Sequence, residues 1–187
     1  MNFYSDEIIN NIIDNSDLDN IISETDSFKL NTSYLFHKHS LNDIHYKYID
    51  GLLDDDKNRI AFYCMDSEFS IFNCPTMMIY QKYKDPKTNE IRYYILLMCT
   101  KFSFRGQGYA SKLLDGFVAK VREDNKNIVN PIKIILSSVE NSVLFYEYYG
   151  FKWKSESISD HKILMKYEKY ESDKEYFILE LLVYCST

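Results

Sequence analysis

Between Lys101 and Phe117 the chain reads KFSFRGQGYASKLLDGF, an arginine and two glycines set between an apolar run and a helix-like repeat. A helix N-terminus presents unpaired N–H groups and the positive end of the helix dipole, so it suits an anion. Gly106 and Gly108 carry no side chain to block a phosphate, Arg105 adds a charge, and Ala110 keeps the next position small. The P-loop pattern fails, because Tyr109 rather than a lysine follows Gly108. The dinucleotide pattern is weak, because Ser111 stands where its third glycine belongs. The competing reading is a glycine-eased turn with a surface arginine, and the turn alone does not separate the two.

Other residues able to do chemistry are less pointed. Tyr146, in NSVLFYEYYGFK, carries a phenol that can donate a proton, but among 17 tyrosines it reads by itself as a core aromatic. Cys99 ends an apolar run, where a buried thiol is a plainer reading than a nucleophile. His37 and His39 would share one face of a strand, yet no third ligand accompanies them, so no metal site is read. The four cysteines show no CxxC pair and are expected to be free thiols in a reducing compartment.

These residues need elements to position them. Ile8, Ile9, Ile12 and Ile13, then Leu18, Ile21 and Ile22, recur at helical spacing behind Ser5 and Ser16, which predicts two short helices. A strand is expected at Ser33 to His37, and a helix over Leu41 to Leu53 capped by Ser40. Ile60 to Cys64, Met77 to Tyr83 and Ile91 to Thr100 read as strands, the last two forming a hairpin about the turn signal at residues 84–89. Ala110, Leu113, Leu114, Phe117, Val118 and Val121 outline an amphipathic helix. Ile132 to Val139 is the next strand, and Ser142 to Tyr149 a helix closed by Gly150. Phe151 to Ile158, Lys162 to Tyr167 and Tyr176 to Tyr184 are strand-like. The layout is mixed α/β.

At 187 residues, 45% hydrophobic and 27% charged, the chain has the balance of a soluble globular protein, and one domain over 1–187 is expected. Its net charge of −6 is uneven: Asp6, Glu7, Asp14, Asp17, Asp19, Glu24 and Asp26 precede any lysine or arginine. Residues 27–187 then hold 22 bases against 21 acids. Without a basic face, nucleic acid is not the expected partner. The absence of a signal-like start and of any long apolar run points to an intracellular protein, cytoplasmic or nuclear, with no membrane partner.

Two motifs together say more than either. RGQGYA, Arg105 to Ala110, resembles the R/Q-x-x-G-x-G/A signature of the GNAT superfamily of acyl-CoA-dependent N-acetyltransferases. About 35 residues on, FYEYYGF, Phe145 to Phe151, resembles that family's F-Y-E-x-x-G-F signature. The resemblance is strong from Ile91 to about Trp153, expected to be the cofactor-binding core, and general elsewhere. It implies a mixed, largely antiparallel sheet sandwiched between helices and splayed at the cofactor cleft, with residues 1–30 an acidic helical segment on the acceptor side. It implies acetyl-CoA as donor, its pyrophosphate on the amides of Arg105, Gly106, Gln107, Gly108, Tyr109 and Ala110. Met98, Cys99 and Thr100 are then expected along the pantetheine arm. Tyr146 falls on the family's usual general acid. Members commonly carry an asparagine seven residues before that tyrosine; Val139 stands there, and Asn141, two residues later, is the candidate.

The reaction so implied faces a protonation problem. An amine of pKa about 10.4 is neutral only about once in 2500 at pH 7, a penalty of about 4.6 kcal/mol. A base must take its proton and a donor must serve the leaving thiolate. The sequence gives Tyr146 for the second role; for the first it offers only Glu180 in the last strand. The expected acceptor is a primary amine: a polyamine-like molecule, or a lysine or N-terminus of a protein. The alternative is a GNAT-fold module that binds CoA without catalysis.

Overall fold

β-branched, aromatic and long apolar side chains fill the central runs of the sequence, and those runs are strands in the computed structural model. It describes residues 12–14, 25–39, 46–65, 70–167 and 176–185. The elements are β1 (Ile12–Asp14), α1 (Thr25–His39), α2 (Tyr46–Leu53), β2 (Asn58–Tyr63), β3 (Thr76–Lys84), β4 (Ile91–Thr100), α3 (Tyr109–Asp124), β5 (Ile132–Val139), α4 (Glu140–Tyr149), β6 (Lys152–Lys154), α5 (Lys162–Tyr167) and β7 (Tyr176–Val183). The strand order is β1-β2-β3-β4-β5-β7-β6, a mixed and mostly antiparallel sheet. The chain divides into two compact units, residues 1–80 with 97–120 and residues 81–96 with 121–187; β3, β4 and α3 run through both.

In the first unit, β1 lies antiparallel to β2, with Ile12 opposite Tyr63 and Asp14 opposite Ala61. The helix expected through Ile12 and Ile13 is therefore a strand at those two residues. Three residues matching the edge of β2 gain a ladder that a short isolated helix cannot offset. The rest of that expectation, with the helix over Leu18 to Ile22 and the caps Ser5, Ser16 and Ser40, lies outside the described residues. The strand expected at Ser33 to His37 is also corrected, to the last turns of α1. Thr32, Ser33, Leu35 and Phe36 are buried, an i, i+1, i+3, i+4 pattern that is one face of a helix. Phe36 meets Phe62 at 6.3 Å, and the Ser33 hydroxyl bonds Asp50 of α2.

In the second unit, the Asp85–Glu90 turn closes the β3–β4 hairpin, with the Asp85 amide donating to the Glu90 carbonyl at 2.9 Å. Asp85 Oδ1 accepts from the Lys87 and Thr88 amides, which holds its carboxyl below the usual carboxylate range. β5 runs parallel to β4 from Arg92↔Lys133 to Ile95↔Leu136, and antiparallel to β7 along its whole length. The β4–β5 ladder thus stops at Leu136, although β5 goes on to Val139. Lys162 to Tyr167, expected as a strand, is α5. Ser157 and Asp160 form a capping box just before it, and the Met165 amide donates to the His161 carbonyl at 3.0 Å, a helical bond. Of Phe151 to Ile158 only Lys152–Lys154 is strand, paired with β7.

Candidate active site

The turn lies wholly in the first unit, and its backbone is shaped for an anion. Gly106 and Gly108 stand at φ +75 and +81, a region costly for other residues. Gln107 between them gives the alternation that makes a concave nest of N–H groups. Gly108 caps α3, because its carbonyl takes the first helical bond, from the Lys112 amide at 3.1 Å. Among the described residues, the amides of Gly106, Gln107, Gly108, Tyr109, Ala110 and Ser111 donate to no backbone carbonyl. The Arg105 amide is already engaged by the Phe102 carbonyl at 3.2 Å, so the open series begins one residue later than the sequence reading put it.

Side chains fix that turn from behind. Arg105 Nε donates to the Thr100 carbonyl at 3.2 Å, and Gln107 Nε2 to the Ser103 carbonyl at 2.9 Å. Tyr109 packs on Tyr63 and Phe104 at 5.6 and 5.8 Å, which orients the first turn of α3. Lys101 is buried; its ammonium donates to the Ile71 and Phe72 carbonyls at 2.9 and 3.2 Å, and burial lowers its pKa. Met98 and Thr100 are half-buried and Cys99 is buried. The Cys99 carbonyl accepts from Thr76 Oγ1 at 2.9 Å, which ties the end of β4 to β3. Cys64 and Cys74 form no disulfide, and their buried sulfurs are hydrogen-bonded at 3.0 Å.

The second unit holds Tyr146 on α4. Its ring is clamped between Phe145 and Phe151 at 5.1 and 5.5 Å, and Gly150 at φ +118 closes the helix by donating to the Tyr146 carbonyl. The residue is 8% exposed, and burial pushes its phenol well above the ordinary tyrosine range. A neutral phenol with a raised pKa keeps its proton until a strong acceptor arrives, as a donor to a nascent thiolate requires. Asn141 is exposed in the first turn of the same helix.

Other sequence candidates come out differently. His37 lies in a helix rather than in the expected strand, and its ring stacks edge-on with Tyr46 at 5.8 Å. No metal-ligating cluster forms among the described residues. Glu180 is ion-paired to Lys154 at 2.8 Å, with its side chain 11% exposed.

One cluster had no motif to announce it. Within the second unit His161, 5% exposed, places Nε2 2.7 Å from Glu156 Oε2 and Nδ1 3.3 Å from the Tyr94 hydroxyl. Tyr94 and His161 stand 67 residues apart, so only the fold brings them together. The Oγ of Ser137 on β5 is buried with no hydrogen-bond partner.

The comparisons meet this geometry in the same stretch. Residues 84–170 match the family model described as an acetyltransferase (GNAT) domain. In that stretch the sequence is similar to the GNAT acetyltransferases. The matched stretch spans β4, the turn, α4 with Tyr146, and both Glu156 and His161. Solved structures share the fold at low identity. Tetrahymena GCN5 is 11% identical at TM-score 0.57, with 86% of this chain and 89% of that one covered. The ribosomal-protein-S18-alanine N-acetyltransferase of Escherichia coli is 12% identical at TM-score 0.56, covering 85% and 90%. The NatC complex, solved with a Gag peptide and CoA, is 18% identical at TM-score 0.53, covering 84% and 94%. No curated protein matches the sequence. No helix among the described residues is long and apolar enough to cross a membrane.

Proposed function

We propose that this protein is an N-acetyltransferase that moves the acetyl group of acetyl-CoA to a primary amine. The observation that carries the reading is the run of open amides from Gly106 to Ser111 at the start of α3, inside the stretch that matches the GNAT domain model. A pyrophosphate accepts several such N–H bonds at once, and the helix dipole adds to them. In this reading the amides of Gly106, Gln107, Gly108, Tyr109 and Ala110 hold the pyrophosphate, and Arg105 braces the turn and adds charge. Met98, Cys99 and Thr100 line the pantetheine arm, and Asn141 contacts it. Tyr146 protonates the departing thiolate. Residues 1–187 act as one acetyltransferase domain, with residues 91–153 its cofactor-binding core.

The acceptor class is a peptide or protein amine, or a polyamine. Solved proteins of this fold include one bound to a peptide with CoA and a ribosomal-protein-S18-alanine N-acetyltransferase, which supports the first. The acidic start of the chain favours a cationic acceptor of either kind.

The test is a thermal-shift screen with acetyl-CoA, CoA, ATP and NAD, followed by transfer of labelled acetyl to an amine panel. Stabilisation by acetyl-CoA and CoA with transfer to an amine is expected. Stabilisation by ATP or NAD alone overturns the reading. Stabilisation by CoA with transfer to no amine leaves a binding module.

A further inference from the structure

We propose that Tyr94, held by His161 and Glu156, takes the proton from the attacking amine, while the Ser137 hydroxyl holds that amine in place. The inference rests on the acetyl-transfer reading and names its missing base.

The sheet of the second unit has two distinguishable faces. Leu181 Cδ1 lies 3.7 Å from where a Cβ on Gly150 would stand, and Leu181 pairs with Ile134. The Ile134 and Leu136 side of β5 therefore faces the end of α4. Side chains alternate along a strand, so Ile135 and Ser137 point the other way. Tyr94 is the register partner of Ile135, and so is Glu180. Tyr94, Ser137 and Glu180 thus share one face, and His161 meets Tyr94 there.

The hydrogen bonds on that face set a direction for a proton. Glu156 as a carboxylate can only accept, so His161 Nε2 carries a hydrogen toward it at 2.7 Å. Nδ1 then has its lone pair free to accept from the Tyr94 hydroxyl at 3.3 Å, a distance that contracts when a reacting group arrives. The groups facing Tyr94 are His161, Tyr83, Arg92 and Glu156. Burial raises the Tyr94 pKa and the Arg92 guanidinium opposes it, which keeps a neutral phenol while easing loss of its proton toward His161. Glu180 is occupied by Lys154 and is not available as the base.

Ser137 supplies an independent sign of a ligand. It is the first β5 residue on this face beyond the last β4 pair, and its buried Oγ has no partner. Such a group is costly to leave unmet, and a bound amine would meet it.

The step balances. As the amine nitrogen bonds the acetyl carbon, its N–H proton passes to the Tyr94 oxygen and the Tyr94 proton passes to His161 Nδ1. The imidazolium so formed is neutralised by Glu156. Collapse of the tetrahedral intermediate breaks the C–S bond, and the thiolate takes its proton from Tyr146. In this scheme Tyr94 is catalytic, while His161 and Glu156 are positioning residues.

The experiment uses the full chain, with spermidine and a lysine-containing peptide with a free N-terminus as probes. It reads kcat against pH, KM, and the acetyl-CoA thermal shift. Tyr94→Phe keeps the ring and should lower kcat by roughly 10²–10⁴ while leaving the acetyl-CoA shift unchanged. His161→Gln should lower kcat and erase the acid limb of its pH profile, since the relay needs a neutral imidazole. Ser137→Ala should raise KM more than it lowers kcat. If the wild type acetylates a probe and Tyr94→Phe and His161→Gln keep its rate and acid limb, the relay is wrong and the acetyltransferase reading stands. If the wild type binds acetyl-CoA and acetylates neither probe, both fall together. Should His161→Gln fail to fold, Tyr94→Phe decides.

Discussion

The turn at Gly106 to Ala110 and the cluster around Tyr94 are built in opposite ways. The turn is exposed, works through backbone N–H groups, and takes its shape from two glycines at positive φ within three residues. In the cluster Tyr94 and His161 are buried and Glu156 is half exposed; it offers side-chain oxygens and nitrogens, and it draws on β4 and the segment between β6 and α5. Holding a polyanion needs many weak donors with little demand on side-chain identity. Moving one proton needs a few side chains whose protonation is controlled by burial and neighbours. A substitution should therefore strike one function and spare the other.

The largest effect expected on the backbone side is from Gly108→Asp. A Cβ there meets no heavy atom within 4 Å, so space is not the obstacle. The added carboxylate would repel the phosphates, and acetyl-CoA should no longer raise the melting temperature. Gly108→Ala separates charge from backbone strain: at φ +81 it should cost about 1–2 kcal/mol of stability and keep part of the acetyl-CoA shift. Equal loss in both variants would mean that conformation rather than charge governs the site.

On the side-chain half, Tyr146→Phe should lower kcat by roughly 10²–10⁴ with the acetyl-CoA shift intact. The ring contacts with Phe145 and Phe151 survive the change, so folding should survive too. An unchanged kcat on a working acceptor would assign Tyr146 to packing alone.

The same contrast explains what could be read from the sequence. β4 and β5 match their expected bounds, because runs of Ile, Leu, Tyr and Val closed by turn residues mark a buried strand wherever they fall. The turn was visible because its pattern is local. Gly150 announced the end of α4 for the same reason. The errors are at short apolar runs, where period alone cannot separate helix from strand. KILMKY carries one buried residue, Leu164, and is a helix whose first turn is closed by the Met165 amide donating to the His161 carbonyl at 3.0 Å. The Tyr94–His161–Glu156 line was illegible, since no spacing in the chain relates β4 to the segment before α5.

A smaller effect tests whether the far end of β4 is only scaffold. Glu90 accepts from Lys133 at 2.8 Å and pairs with Arg92, and these bonds hold its carboxyl below the usual range. A carboxylate with a depressed folded pKa stabilises the protein above its unfolded pKa and loses that contribution as pH falls through the folded value. The side chains are about a third exposed, so solvent screening limits the contribution to about 1 kcal/mol. Glu90→Gln should lower stability by about that much at pH 7 in chemical denaturation. The difference from wild type should vanish in acid below the folded value, with acetyl-CoA binding unaffected at pH 7. A difference that persists there would assign the cost to packing rather than charge.

The smallest expected effect concerns the acidic start of the chain, which belongs to neither half of the comparison. Seven acids precede the first lysine or arginine, while residues 27–187 are nearly balanced. Clustered charge of one sign raises the local concentration of an opposite ligand, and salt screens it over about 8 Å at physiological strength. Such steering changes encounter rather than chemistry, so it should appear in kcat/KM and leave kcat alone. Asp14, Asp17 and Asp19 changed together to Asn should lower kcat/KM for spermidine a few-fold at low salt, and by less at high salt. A neutral amine should show neither change, because it has no charge to steer. If spermidine and the neutral amine respond alike, the acids serve only to solvate the segment, and the acceptor's charge must be read elsewhere in the molecule.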